Sequence, residues 1–399
     1  MASGPTFDAD GNLVAASFSF SPPCGLTELH LHIDGSLRKS TFVELWNALP
    51  EGDRAGDSSM YDKDSCGNKP RTFACEQDVV DQLCPKPGWS LAQYLSSFPT
   101  LLCVLQTAEA LERVTFEICE DLHTCGVRYA ELRYCPSLHR QKGLGDDAIV
   151  AAVADGLRRA AAAFPGARFY QIVTALRDLG PAEALVMTQL AVRAGKQQLV
   201  CAVDLAGNEF AHPPEKFVEA FDHAHAHGMA VTIHAGEGRG PHAAQAEQNV
   251  RNSVELLHAR RIGHGVAARH DEGTLAFLKE RGIAIEICPT SNEQTGSIDK
   301  IDDHPARQFF DAGVCICPGA DNAMLSQTDT AREYNLLRMM LGFSGEEMGE
   351  IALRARKAGF VQPGDGEQGG GGGGGEIFGS TGAVVGGNCL DSTNTATET

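Results

Sequence analysis

Glu28-Leu-His-Leu-His-Ile-Asp-Gly-Ser36 decides the reading of this chain. His30 and His32 stand two residues apart in an apolar, strand-like run. Alternate side chains of a strand share a face, so both imidazoles project the same way. Two neutral imidazoles converging at a strand end suit a divalent metal. Three further polar clusters follow apolar runs downstream: His234-Ala-Gly-Glu237, Gly263-His264-Gly265 and Ala320-Asp321-Asn322. A single histidine in a core is more often structural than ligating. Polar clusters at one strand end after another are not explained that way, and together they point to a metallohydrolase centre at one end of a barrel.

The surrounding pattern supports the barrel. Short apolar runs predict eight strands: Thr27–Ile33, Gly126–Tyr134, Arg168–Ala175, Leu199–Leu205, Ala230–Ala235, Arg261–His264, Ile283–Ile287 and Val314–Cys317. Amphipathic segments between them predict helices over Ala108–His123, Ala148–Ala163, Pro181–Ala194, Pro213–His227, Asn249–His258 and Gly273–Arg281. Strand-helix alternation implies parallel strands with helices outside. Eight such units predict an α/β fold of the closed (β/α)8 TIM-barrel kind, whose chemistry sits at the C-terminal ends of the strands. Each polar cluster falls at such an end. The catalytic domain is expected over residues 26–360, after an irregular leader at 1–25. The polar stretch Glu51–Pro70 reads as an exposed insertion. Residues 361–399 contain the unbroken glycine run Gly369–Gly375 and a Ser/Thr/Asn-rich end, a composition that cannot hold a core and predicts a disordered tail. No Lys-Ser/Thr follows the glycines, so they are no phosphate loop.

Charge and composition narrow the function classes. The chain has 399 residues, 43% of them hydrophobic, enough for one large core. A formal net charge of -19 opposes nucleic-acid backbones and anionic membrane surfaces as partners. No apolar run reaches the roughly 18 residues that a membrane helix needs. Met1–Asn12 has no basic segment of the kind that begins a secretory signal. The 13 cysteines are scattered and read as reduced core thiols of a cytoplasmic protein, with Cys315-Ile-Cys317 placed in a buried strand. His223, His225 and His227 cannot all share one helical face and read as solvated surface.

His30, His32, His234 and Asp321 form the candidate metal set, three imidazoles and a carboxylate that leave room for water. Glu237, just beyond its strand, is placed to exchange a proton with a bound substrate, and a dry pocket raises such a carboxyl toward the working range. His264, between two glycines, is a candidate to orient or deprotonate the attacking water. Asp204 is a candidate buried partner of a ligand. Gly207 reads locally as a turn glycine, though it could also present a bare N–H to a planar ligand.

These motifs together resemble the adenosine deaminase family. The matches are TELHLHIDGSL, AVDLAGNE, TIHAGEG, RIGHG, EICPTSN and the ADN of the last strand, in order, across roughly residues 26–355. The resemblance implies one Zn2+ per chain on His30, His32, His234 and Asp321. It implies that Glu237 protonates the purine N1 while water adds at C6, with His264 orienting and deprotonating that water. It also implies that Gly207 meets N3, Asn322 meets N7 and Asp34 receives the ribose 5′-hydroxyl. The expected substrate is therefore a small purine nucleoside: adenosine, with 2′-deoxyadenosine beside it, going to inosine and ammonia in purine salvage. N6-methyl-AMP and adenine are the alternatives on the same fold. A carboxylate at Asp34 favours an uncharged 5′-hydroxyl over a 5′-phosphate. An inactive nucleoside-binding barrel would be expected to have lost a ligand or the Glu, and all are present. A two-metal hydrolase would call for a bridging lysine at the fourth strand, which ends in Asp204 instead. One departure stands out: Pro318-Gly319 precedes Ala320-Asp321-Asn322. Proline removes a ladder donor and is tolerated only at a strand end, so the last turn is expected to be displaced.

Overall fold

A computed structural model describes residues 22, 24–54, 71–86, 88–238 and 242–362. The predicted leader, the core of the predicted insertion at 55–70 and the glycine-rich tail lie outside the described residues, apart from a few positions at their edges.

Eight parallel strands form one sheet in strictly sequential order. They are β1 (Leu26–His32), β2 (Val127–Tyr134), β3 (Arg168–Leu176), β4 (Val200–Ala206), β5 (Ala230–Ala235), β6 (Arg261–His264), β7 (Ala284–Ile287) and β8 (Cys315–Pro318). The ring closes where Leu31 bridges Asp321 in parallel register. There the His32 N–H donates to the Asp321 carbonyl at 2.7 Å and the Asp321 N–H to the His30 carbonyl at 2.8 Å. Helices separate consecutive strands, so the fold is the predicted (β/α)8 barrel. The apolar core lies between the strands and those helices, as Val173, Leu205, Ile233, Ile262 and Ile285 illustrate.

Most predicted bounds shift by a residue or two. Two differ more. The helix expected from Asn249 begins at Ala243 and ends at Glu255, because Ala-Ala-Gln-Ala-Glu-Gln is a good helix former without apolar periodicity. The single helix expected over Pro213–His227 splits into a 3-10 turn at Pro214–Phe217 and a helix over Val218–Ala226. Between β1 and β2 the chain adds short helices at Glu76–Leu83, Leu91–Leu95 and Phe98–Leu102. The last two lean over the C-terminal rim, where Tyr94 and Phe98 line the cavity.

Pro318 ends β8, opposite Ile287, where its missing N–H costs no ladder bond further along. The ladder resumes at once, with the Gly319 N–H donating to the Ile287 carbonyl at 2.9 Å. Gly319 is needed for proximity: a Cβ there would lie 2.8 Å from the His30 Cβ and 2.7 Å from a Glu28 carboxylate oxygen. The Pro-Gly pair thus draws β8 against β1. Asp321 reaches the centre from a left-handed φ of 57°.

Candidate metal and active site

Strand ends bring the predicted residues to one place. His30 and His32 come from β1, His234 from β5, His264 from β6, and Asp321 follows β8. Asp321 Oδ1 lies 3.5 Å from His30 Nε2 and 3.4 Å from His32 Nε2. His32 Nε2 and His234 Nε2 are 3.1 Å apart. One nitrogen or oxygen from each of His30, His234, His264 and Asp321 falls within 4.8 Å of the others. Gly263 makes room, since a Cβ there would sit 2.8 Å from His30 Cε1.

The partners of these rings decide what they offer. His30 Nδ1 lies 2.8 Å from Glu286 Oε2, and His234 Nδ1 lies 3.0 Å from Asp204 Oδ1. A carboxylate only accepts, so in the neutral rings that ligate a metal each Nδ1 carries the proton and each Nε2 turns a lone pair inward. His30 Nε2 is buried and has no hydrogen-bond partner. The inward lone pairs of His30 and His234 and the Asp321 carboxylate repel one another unless a cation stands between them. The donor set therefore fits a metal ion of the kind that imidazole and carboxylate bind, and the chain has a His/Asp metal-binding group.

Beneath it lies a layer of buried charge. The Arg133 guanidinium bonds Glu286 at 2.7 Å and Asp204 at 3.2 Å, and so joins the two carboxylates that orient His30 and His234. Arg261 bonds Glu286 and Glu131. Burial alone would raise the Glu286 carboxyl; Arg133 and Arg261 outweigh it and hold it well below the ordinary carboxylate range. Ser291 Oγ donates to Asp321 Oδ2 at 2.5 Å. Of this layer, sequence reasoning singled out only Asp204. The signal it passed over is charge inside strands that otherwise read as core, Glu131 and Arg133 in β2 and Glu286 in β7.

Glu237 sits across the cavity, with Oε2 4.0 Å from His264 Nε2. Burial, then the nearby Asp321 and Glu209, push its carboxyl up to about 8. Glu209 fixes the loop that carries it, its carboxylate accepting from the N–H groups of Gly236, Glu237 and Gly238. Asp34, Gly207 and Asn322 line the same cavity, of about 290 Å³, with Tyr94, Phe98, Leu138 and Leu176 as its apolar wall. Asp34 Oδ1 and Asn322 Oδ1 are buried without partners, and burial raises the Asp34 carboxyl to about 7. Gly207 has φ +100°, and a side chain there would strike Asp178. The solvated trio behaves as expected: His225 and His227 are exposed and His223 is half-buried, away from this centre.

A cavity with a metal-binding group, a carboxyl that burial pushes up and unpaired polar atoms facing inward defines a metal-dependent hydrolase class of site on this barrel. Comparison with known proteins narrows it. The family model described as adenosine deaminase matches residues 25–367. An adenosine deaminase of Clostridium perfringens is 34% identical over 337 residues, 84% of this chain and 93% of that protein. One from Clostridium acetobutylicum is 32% identical over 339 residues, covering 84% and 92%. The chain belongs to the adenosine deaminase family. Among solved structures, an N6-methyl-AMP deaminase of Arabidopsis has a TM-score of 0.70 at 25% identity, covering 86% of this chain and 95% of that one. At 24% identity, where the likeness speaks to fold alone, stand an adenine deaminase of Arthrobacter aurescens (TM-score 0.72) and a Burkholderia amidohydrolase with bound Zn (TM-score 0.69). Among the described residues no helix is long and apolar enough to cross a membrane.

Proposed function

We propose that this protein hydrolytically deaminates adenosine and 2′-deoxyadenosine, using one Zn2+ held by His30, His32, His234 and Asp321. The observation that carries the reading is the convergence of lone pairs from three strand ends opposite the buried Glu237 carboxyl. When bound, the ion lowers the pKa of water from about 15.7 toward about 7, which supplies a nucleophile at neutral pH. The chain's own residues do the rest. Glu237 offers its proton to ring N1, which weakens the aromatic resistance of C6 to attack. A C6–O bond forms, the proton of the added hydroxyl passes to the amino nitrogen, the C6–N bond breaks, and ammonia leaves a C6 carbonyl, while the proton lost by the water restores Glu237. His264 holds the attacking oxygen from the opposite side. The Gly207 N–H meets N3, the Asn322 amide donates to N7, and Asp34 takes the ribose 5′-hydroxyl. Tyr94, Phe98, Leu138 and Leu176 keep the base out of water.

The rival substrate is a nucleoside monophosphate, as the Arabidopsis relative's name suggests. The cavity argues against it. Among the described residues its lining has no Lys or Arg, and it carries Asp34, Asp178, Glu237 and Asp321. A dianionic phosphate would find no cationic side chain in this lining and would force the buried Asp34 to stay protonated beside it, which costs several kcal/mol. The test is an absorbance assay of the purified protein on adenosine, 2′-deoxyadenosine, AMP, N6-methyl-AMP and adenine. The two nucleosides should exceed either monophosphate in kcat/KM by at least about a hundredfold. Preference for a monophosphate or for adenine would overturn the proposal.

A further inference from the structure

His264 lies as near the metal position as the ligands do. Its ring centroid is 4.8 Å from that of His30 and 5.3 Å from that of His234. Distance therefore does not exclude it from the ligand set. Chemistry does, because an imidazole nitrogen ligates only through a lone pair.

The neighbours fix where its proton sits. The backbone N–H of Ala306, the first of the short helix Ala306–Asp311, donates to His304 Nδ1 at 3.1 Å. A peptide N–H cannot accept, so His304 Nδ1 is the lone-pair nitrogen. Burial pushes the His304 imidazolium down to about 3, so the ring is neutral and its proton is on Nε2. That Nε2–H lies 3.1 Å from Asn292 Oδ1 and donates to it. The amide is thereby oriented, with its amino group 3.0 Å from His264 Nδ1. An amino group donates, so His264 Nδ1 accepts. In the neutral ring the proton must then be on Nε2, the nitrogen that faces Glu237 and the cavity. His304, Asn292 and His264 are all buried.

We propose that His304 and Asn292 are positioning residues that lock His264 as the Nε2–H tautomer, a hydrogen-bond donor into the site that is barred from the metal. A donor there grips a lone pair of the attacking oxygen and steadies it in its hydroxide form. The base role implied by the family resemblance would instead need an Nε2 lone pair, which this relay withholds. Only the consequence for rate rests on the deaminase reading; the tautomer does not.

The test is long-range 15N–1H NMR on the full-length, metal-loaded protein with 15N-labelled histidine, at a pH where the ring is neutral. His264 should show a lone-pair Nδ1 and a proton-bearing Nε2. A proton on Nδ1, or an Nε2 shifted by metal, overturns the proposal. Asn292→Asp puts an acceptor on both sides of the relay. It should move the His264 proton to Nδ1, alter the visible spectrum of the Co2+-substituted protein as Nε2 becomes a ligand, and lower kcat about ten- to a hundredfold with little change in KM. A His264 pattern unchanged by Asn292→Asp also overturns it. Wild-type protein inert toward adenosine would sink the functional reading and leave the tautomer measurement standing.

Discussion

Replacing Glu286 by Gln probes the layer beneath the metal group with the smallest change of shape. The carboxylate is fully buried and serves four donors. Oε2 takes His30 Nδ1 at 2.8 Å and Arg133 at 2.7 Å; Oε1 takes Arg261 Nε at 2.5 Å and Thr232 Oγ1 at 2.9 Å. Glutamine has one accepting oxygen, and its amino group must face donors. The better placement keeps the oxygen toward His30 and Arg133. Thr232 can then rotate to accept, and Arg261 retains Glu131 at 2.6 Å. The geometry survives while the one charge opposing both guanidiniums is gone. Breaking a buried ion pair in this way costs about 3–5 kcal/mol, a large part of a typical stability of about 5–15 kcal/mol. The bond that orients His30 loses its charge, and metal affinity should fall about tenfold, the low end for loss of a partner behind a ligand. Denaturant unfolding measures the first effect and competition with a chelator the second. If Glu286→Gln unfolds at the wild-type midpoint and holds its metal equally well, the buried layer neither stabilises the barrel nor aims the ligand.

Two other outcomes are expected. Glu237 has a folded pKa raised from 4.5 to about 8. In metal-free protein the unfolded chain sheds this proton near pH 4.5 and the folded chain keeps it, so folding stability is lost as pH rises between those values. Glu237→Gln should therefore flatten the decline in urea midpoint between pH 5 and pH 8.5, while lowering kcat of the metal-loaded enzyme by about 10²- to 10⁴-fold; an equal decline in both proteins refutes the buried proton. Gly319→Ala should separate β8 from β1, because its methyl group meets Glu28 and His30. Lower metal content at unchanged helical circular dichroism is the expected result, and full metal content would show that the seam yields easily.

The barrel was legible because short apolar runs alternate with amphipathic segments, and every polar cluster falls where such a run stops. That pattern survives errors of a residue at each bound. His30, His32, His234 and Asp321 were legible for the same reason: they stand where apolar runs stop. Glu131, Arg133 and Glu286 were not, since mid-strand charges mean little until the strands close and turn them toward one another. The relay behind His264 lay still further from view. Asn292 and His304 are 28 and 40 residues beyond it, and only the folded chain sets their edges nose to tail. Asx and histidine roles depend on which atom faces which, and spacing in sequence carries no such information.

Charge supplies an independent argument for the kind of ion. Around the ligands, Glu131, Asp204 and Glu286 contribute three negative charges, and Arg133 and Arg261 two positive ones. Arg177 and Glu209, both buried nearby, add one of each sign. Glu28, Asp34 and Glu237 are pushed toward their neutral forms by burial, to about 7, about 7 and about 8. One negative charge is left over, and the Asp321 carboxyl, well below the ordinary carboxylate range despite its burial, makes two. The histidines that bind are neutral. Uncompensated charge in so dry a place is costly, and a divalent cation at the shared point cancels it, whereas a monovalent ion or a water molecule does not. The same balance explains why the orienting partners of His30 and His234 are carboxylates tied to one arginine: Arg133 keeps each from adding a full unopposed charge, so the rings gain basicity and direction while the centre as a whole stays near neutral once the ion is in place.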